Sequence, residues 1–195
     1  MSQAADAALG FRVKSGRAIG VLLAGPVQSP RVLDRREIDL CDPAVAASRQ
    51  PYHAAMGTLQ TDEVKVARLR DIVARAADRS VAKLMTTYRD AGHRIKAAGL
   101  VVGSETDPAS ITNPHIRAHA LEGRLFRTVL EDTLKSFRVS CSVLVERTAY
   151  ARAAGALRQS EPELKASVAQ LGRGLGGPWR ADEKCAALAA WLALA

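Results

Sequence analysis

Two histidines and a glutamate occur at helical spacing in the second half of the chain. His115, His119 and Glu122 are separated by four and three residues, which places them along one face of a helix. Two imidazoles and a carboxylate in this arrangement can bind one metal ion, and His53, far upstream, can join them. Zinc hydrolase motifs place the catalytic glutamate directly after the first histidine, and this chain does not. A hydrogen-bonded polar helix face is therefore the competing interpretation.

Arginines on the same predicted helix indicate an anion-binding surface. Arg117, Arg124 and Arg127 lie there, and guanidinium groups bind phosphate in a bidentate manner. The whole chain has 28 Lys and Arg against 20 Asp and Glu, a formal net charge of +8. Net charge predicts only the sign of a partner, so a solvated basic face is the alternative.

The composition narrows the class of protein. With 195 residues, of which 48% are apolar, the chain is predicted to form one globular domain over 1–195. Its cysteines, Cys41, Cys141 and Cys185, are few and scattered, which favours reduced thiols in the cytoplasm. The longest apolar run, 185–195, is shorter than the roughly 20 residues of a membrane-spanning helix, so no membrane span is expected. Neither a phosphate-binding loop of the nucleotide-hydrolase type nor many aromatic residues are present.

Hydrophobic periodicity and turn residues predict the elements that position these side chains. Three antiparallel strands come first, and helices and strands alternate afterwards. The predicted elements are strands at 9–13, 17–24 and 31–40, a connector at 41–60, a helix from an N-cap at Thr61 to a C-cap at Gly92, a strand at 98–103, a helix from Asn113 to about Ser136, a strand at 139–145, one or two short helices within 146–177, and a packed helix from about Ala181.

This order resembles the ribonuclease H-like fold, an α/β fold with a mixed five-stranded sheet flanked by helices. The run from Leu9 to Gly16, LGFRVKSG, is similar to the first strand and turn of Holliday-junction resolvases of the RuvC type. The run ADEKCAALA at 181–189 is similar to their acidic last helix, and Glu105, after Leu100-Val101-Val102, to the acidic residue that closes their fourth strand. The resemblance implies that the 98–103 strand lies parallel to and beside the 9–13 strand.

The same resemblance implies a metal centre, but this chain has different residues at two of the positions that would bind the metals. In that family, acidic residues from the first strand, fourth strand and last helix hold two divalent metals, which align a water and the scissile phosphate. Glu105 and Asp182 match this pattern and are the candidate catalytic residues. Arg12, however, stands at the first-strand acidic position, and Cys185 at the second acidic position of the last helix. Helix-dipole stabilisation of Asp182 and simple solvation of Glu105 are the alternatives.

An arginine in an apolar strand must face solvent, a phosphate or a carboxylate. An ion pair between Arg12 and Glu105 is the most economical solution. Because Arg12 places a permanent positive charge where a metal ligand is expected, we predict weak or absent Mg²⁺ and Mn²⁺ binding and no cleavage of branched or duplex DNA.

Three functional hypotheses follow. The leading one is a catalytically impaired protein that binds DNA or RNA through phosphate contacts, made by Arg12, Arg117, Arg124 and Arg127. The second is a metal-dependent nuclease or phosphohydrolase with relocated ligands, namely Glu105, His119, Glu122 and Asp182. The third is a protein-interaction scaffold or a homodimer. The sequence establishes no cofactor, and Mg²⁺ or Mn²⁺ is the candidate.

Overall fold

The computed structural model describes residues 5–54 and 57–195, and the elements follow one another in the predicted order. The strands are β1 (Ala5–Lys14), β2 (Arg17–Ala24), β3 (Arg31–Asp39), β4 (His93–Val102) and β5 (Ser140–Val145). The α-helices are α1 (Glu63–Asp90), α2 (Pro114–Ser136), α3 (Glu146–Leu157), α4 (Glu161–Leu171) and α5 (Ala181–Leu194). The connector between β3 and α1 includes a short 3-10 helix, Ala46–Arg49.

The strands form one mixed sheet in the order β3-β2-β1-β4-β5. β2 is antiparallel to both β1 and β3, and the β1–β2 turn places Gly16 at φ +78°. β4 is parallel to both β1 and β5, with Phe11 opposite Leu100 and Arg12 opposite Val101. The predicted parallel pairing of the first and fourth strands is confirmed. This is the α/β architecture that the resemblance implied.

Helices cover both faces of the sheet. On one face, alternate β1 residues such as Leu9 and Phe11 pack with apolar residues of α1 and α2, including Val81 and Phe126. On the other face, Val21 and Val101 pack with α3, α4 and α5. Because side chains alternate along a strand, Arg12 lies on the second face.

The ends of α1 and α2 agree with the predictions to within one residue. Asn113 caps α2 as predicted, and its Oδ1 accepts from the Ile116 amide at 3.1 Å. Thr61 was the expected cap of α1, but the structure places Asp62 there, with Oδ1 accepting from Lys65 N at 2.9 Å. The last residue of α1 is followed by Ala91 as the C-cap, and Gly92, at φ +80°, comes next.

The last helix packs directly on the backbone of the sheet. A Cβ atom built on Gly10 would lie 1.8 Å from the carbonyl oxygen of Ala186, and one on Gly99 would lie 2.5 Å from that of Ala189. These two glycines are opposite each other on β1 and β4. The close approach brings the start of α5, with Asp182, to the carboxyl end of β1.

The described residues contain no helix both long and apolar enough to cross a membrane. Cys41, Cys141 and Cys185 are all free thiols.

Candidate functional site

A buried cation lies near the carboxyl end of β1. Arg12 is only 8% exposed, and its Nη2 donates to Oε2 of Glu146 at 2.5 Å. Its Nη1 donates to the carbonyl oxygen of Val13 at 3.1 Å. Glu146 begins α3 directly after β5. Since β1, β4 and β5 run parallel, their carboxyl ends lie at one edge of the sheet, and this brings Arg12 and Glu146 together.

A second carboxylate reaches the same place from α5. Asp182 Oδ2 accepts from Lys14 Nζ at 2.7 Å, and its Oδ1 lies 3.8 Å from Arg12 Nε. Asp182 stands in the first turn of α5, where the helix dipole also favours a negative charge. We call these four residues, Arg12, Lys14, Glu146 and Asp182, the Arg12 cluster. It contains two cations and two carboxylates.

The expected ion pair between Arg12 and Glu105 is wrong. Glu105 instead accepts from Nη1 of Arg127 at 2.8 Å, in the loop that follows β4. Sequence reasoning missed Glu146, the actual partner of Arg12. Its position directly after a predicted parallel strand was the signal that could have identified it.

The Arg12 cluster does not fit the two-metal centre that the resemblance implied. Glu146 and Asp182 each already bind an internal cation, and the first-strand position supplies a guanidinium in place of a carboxylate. Burial raises the pKa of the Cys185 thiol, which therefore stays neutral at pH 7. A neutral thiol is a poor ligand for Mg²⁺, which prefers hard oxygen ligands.

A cleft of about 650 Å³ opens at the carboxyl ends of β1 and β4. Its walls come from the β1–β2 turn, the loop after β4 and the N-terminal half of α2. None of the described residues that line it carries a carboxylate. The polar lining residues are Arg12, Lys14, Ser15, Ser104, Thr106 and His119.

The three arginine side chains predicted on α2 differ in their exposure and in the groups they contact. The side chain of Arg124 is 63% exposed and lies 3.9 Å from Asp107. Arg117 donates from Nε to the carbonyl oxygen of Ile111 at 2.7 Å. Arg127 is 23% exposed and pairs with Glu105. Arg124 therefore presents the most accessible of these charges.

The histidines of α2 meet the connector between β3 and α1. His53 Nδ1 lies 2.6 Å from Oε1 of Glu122, and the Glu122 side chain is fully buried. Burial raises the pKa of the Glu122 carboxyl, and the contact with His53 opposes this effect. Burial, together with His53 and His115, lowers the pKa of His119. His53, beside Tyr52 in the connector, thus joins the helix-face histidines.

The four residues of the relocated-ligand hypothesis make their contacts in three different places. His119 and Glu122 lie together in the histidine group, Asp182 belongs to the Arg12 cluster, and Glu105 pairs with Arg127. Within residues 5–54 and 57–195, the only group of three or more His, Cys, Asp or Glu side chains spaced to hold a metal consists of His53, His115 and His119.

No family model and no curated protein sequence matches this chain, whereas solved structures match its fold. A RuvC structure from Thermus thermophilus has a TM-score of 0.57 and 9% identity, covering 95% of this chain and 92% of RuvC. T. thermophilus RuvC in complex with a Holliday junction substrate has a TM-score of 0.57 and 10% identity, covering 95% and 90%. The yeast mitochondrial Holliday junction resolvase Ydc2 has a TM-score of 0.52 and 11% identity, covering 98% and 79%. The chain therefore has a ribonuclease H-like fold of the RuvC type.

Proposed function

We propose that this chain binds DNA or RNA through sequence-independent phosphate contacts at the cleft, and that it does not cleave nucleic acid by acidic, metal-dependent chemistry. The observation that carries the proposal is the cleft wall, which contains Arg12 and Lys14 and, among its described residues, no carboxylate. The carboxylates that pair with these cations, Glu146 and Asp182, are not part of the wall, so the cleft presents the cations, above all the 37% exposed Lys14, to a polyanionic backbone. A Holliday junction is the substrate in the T. thermophilus RuvC complex, whose fold this chain resembles.

Several groups of the cleft suit a phosphate oxygen. The Lys14 side chain is 37% exposed and provides a positive charge beside the hydroxyl group of Ser15. Ser104 and Thr106 add hydroxyl groups from the loop after β4, where they hydrogen-bond each other at 2.7 Å. Arg124 extends the basic surface along α2, where Arg117 and Arg127 lie on the same helix. Contacts of these kinds position a nucleic acid backbone without reading its sequence.

The absence of metal-dependent cleavage follows from the charges of the Arg12 cluster. Its two cations balance its two carboxylates, so little negative potential remains to attract a divalent ion. A metal ion would have to displace Lys14 from Asp182 and the buried Arg12 from Glu146. Separating a buried guanidinium from its carboxylate is costly, because the charge is left without a partner.

Fluorescence anisotropy with labelled duplex, four-way junction and single-stranded DNA tests the binding. We expect the wild type to bind all three DNA molecules at low salt. The double variant Lys14→Gln, Arg124→Gln should bind each of them more weakly, with a similar reduction in affinity for all three. The matched control is Arg89→Gln, Arg94→Gln, which removes the same charge near the opposite edge of the sheet and is expected to bind like the wild type. Circular dichroism verifies that each variant is folded. Absence of binding at low salt would overturn the proposal and favour an interaction scaffold or homodimer.

Incubation of the same DNA molecules with Mg²⁺ or Mn²⁺ tests the second half of the proposal. We expect all of them to remain intact. Cleavage by the wild type that disappears in Glu105→Gln or Asp182→Asn would instead establish a metal-dependent nuclease.

We also propose a cytoplasmic location. All three cysteines are unpaired, and free thiols persist in a reducing compartment.

A further inference from the structure

Three imidazole rings converge between α2 and the connector that precedes α1. One nitrogen of each of His53, His115 and His119 lies within 4.8 Å of the corresponding nitrogens of the other two. His115 Nε2 and His119 Nε2 are 3.2 Å apart. Two nitrogens bound to one tetrahedral zinc at about 2.0–2.1 Å would be about 3.4 Å apart. The observed separation is close to that value.

The remaining nitrogens of two of these rings are held by hydrogen-bond acceptors. His115 Nδ1 lies 2.7 Å from the carbonyl oxygen of Gly57, and since a carbonyl only accepts, Nδ1 carries the proton. His53 Nδ1 lies 2.6 Å from the Glu122 carboxyl, which favours the same tautomer. In both rings Nε2 then carries the lone pair, which faces His119 Nε2 in the case of His115 and has no partner among the described residues in the case of His53. Histidines that bind metals nearly always donate their other N–H to a carboxylate or a backbone carbonyl in this way.

A buried histidine nitrogen without a hydrogen-bond partner also indicates a place for a metal ion. The His53 side chain is 8% exposed, and its Nε2 has no hydrogen-bond partner among the described residues. The second carboxylate oxygen of Glu122, Oε2, is also buried without one, and it lies 3.9 Å from His119 Nδ1. Buried polar atoms are nearly always paired, so the open Nε2 calls for a ligand.

We propose that His53, His115 and His119 bind one divalent transition-metal ion, of which Zn²⁺ is the best match, through their Nε2 atoms. Neutral imidazoles suit zinc and other late first-row metals, whereas Mg²⁺ prefers oxygen ligands. Three protein ligands leave a fourth position open for water or another small ligand. Glu122 is a positioning residue, which orients His53 without binding the ion. The site is independent of nucleic acid binding, although His119 also lines the cleft.

Titration of metal-stripped protein, free of any histidine tag, with Zn²⁺ alone tests this site. Isothermal calorimetry is expected to show one Zn²⁺ per chain, and Co²⁺ is expected to give the visible absorption of a four-coordinate ion. His115→Ala and His119→Ala, both at exposed positions, should each lower Zn²⁺ affinity by more than about 100-fold, and circular dichroism verifies that each variant is folded. Glu122→Gln should lower it by about 10–100-fold, the usual effect of changing a group that orients a ligand.

The remaining histidine of the chain, His93, provides the matched control. It begins β4, at the opposite end of that strand from the cleft, and His93→Ala should leave Zn²⁺ affinity and the Co²⁺ spectrum unchanged. Failure of the wild type to bind Zn²⁺, or unchanged affinity in both His115→Ala and His119→Ala, would overturn the proposal. Neither result depends on whether the chain binds DNA.

Discussion

Arg12 stands at the strand position where the resemblance implies an acidic residue. From there it pairs with two carboxylates, those of Glu146 and Asp182. A buried guanidinium requires partners, and it obtains them from Glu146, Asp182 and the carbonyl oxygen of Val13. The choice between arginine and aspartate at this single position therefore changes the sign of the charge at the centre of the Arg12 cluster.

Arg12→Asp is expected to create a divalent-metal site. The change removes the cation and adds a carboxylate near Glu146 and Asp182, and their mutual repulsion should destabilise the protein until a metal binds. At ten times its dissociation constant, Mn²⁺ would stabilise the variant by about 1.4 kcal/mol, or roughly 3–6 °C in melting temperature. Thermal unfolding with and without Mn²⁺ measures this effect.

The control for this experiment is Arg152→Asp, which makes the same charge change on α3, where Arg152 donates to the carbonyl oxygen of Val143 and has no carboxylate partner among the described residues. Its melting temperature should not respond to Mn²⁺, nor should that of the wild type. An equal response in all three proteins would mean that the Arg12 cluster is not the site of binding.

Sequence reasoning predicted part of this arrangement. It established that Arg12, inside an apolar strand, needs a carboxylate or a phosphate, because that follows from the cost of burying a charge. It chose Glu105 because this residue follows β4, the strand next to β1. The structure uses Glu146 instead, since the loop after β4 directs Glu105 toward Arg127 on α2. Loop direction is a tertiary property that spacing along the chain does not contain.

At the scale of elements, the contact of α5 with the sheet depends on two glycines. Gly10→Ala would place a methyl group 1.8 Å from the Ala186 carbonyl oxygen, so the helix must move away from β1. We expect a loss of more than about 3 kcal/mol in the free energy of unfolding, the upper range for overpacking. Urea denaturation measures it. Gly155→Ala, in α3 and with no atom within 4 Å, is the control and should stabilise the protein by up to about 1 kcal/mol.

The start of α4 has a pH-sensitive cap. The hydroxyl and the backbone N–H of Ser160 donate to Glu163, and these bonds lower the pKa of its carboxyl. A lowered pKa in the folded state adds stability that is complete above the unfolded value, about 4.3, and is lost as the pH falls through the folded value.

Glu163→Gln should therefore melt below the wild type at pH 7, and the difference should disappear as the pH falls below about 4. Melting curves from pH 3 to pH 8 measure the difference. Glu161→Gln removes the same charge from the same helical turn without a contact to Ser160, and it corrects for the helix dipole together with the loss of one exposed ion pair, that of Glu161 with Lys165. A melting difference that is the same at pH 3 and pH 7 would contradict the role assigned to this cap.

The elements were largely predictable, because their signals are local. The periodicity of α1, the Asn113-Pro114 start of α2 and the Gly16 turn each depend on neighbouring residues. β4 was predicted as 98–103 but begins at His93. Its first half is polar, and Arg94 and Lys96 pair there with Asp6 of β1. Because the first half of β4 is held by ion pairs with β1, it contains no apolar run from which a strand could be predicted.

At the scale of the whole molecule, charge is distributed unevenly relative to the site. The net charge of +8 gives a general attraction for polyanions, but many individual cations are paired with nearby carboxylates. Arg12 and Lys14 of the cleft are paired too, with Glu146 and Asp182, but neither carboxylate is among the described residues of the cleft wall. A nucleic acid is therefore expected to bind in one place, with the remaining surface contributing only long-range attraction.

The salt dependence of DNA binding measures how many phosphates the cleft neutralises. On duplex DNA each contact contributes about −0.9 to the slope of log affinity against log salt, so four contacts would give about −3.6. Replacing Lys14 and Arg124 by Gln should make the slope less steep by about 1.8, whereas replacing Arg89 and Arg94 should leave it unchanged. Two duplexes of equal length and different sequence should bind alike, because phosphate contacts carry no sequence information. A slope near zero, or a more than tenfold preference for one duplex, would show that binding depends on contacts other than phosphates.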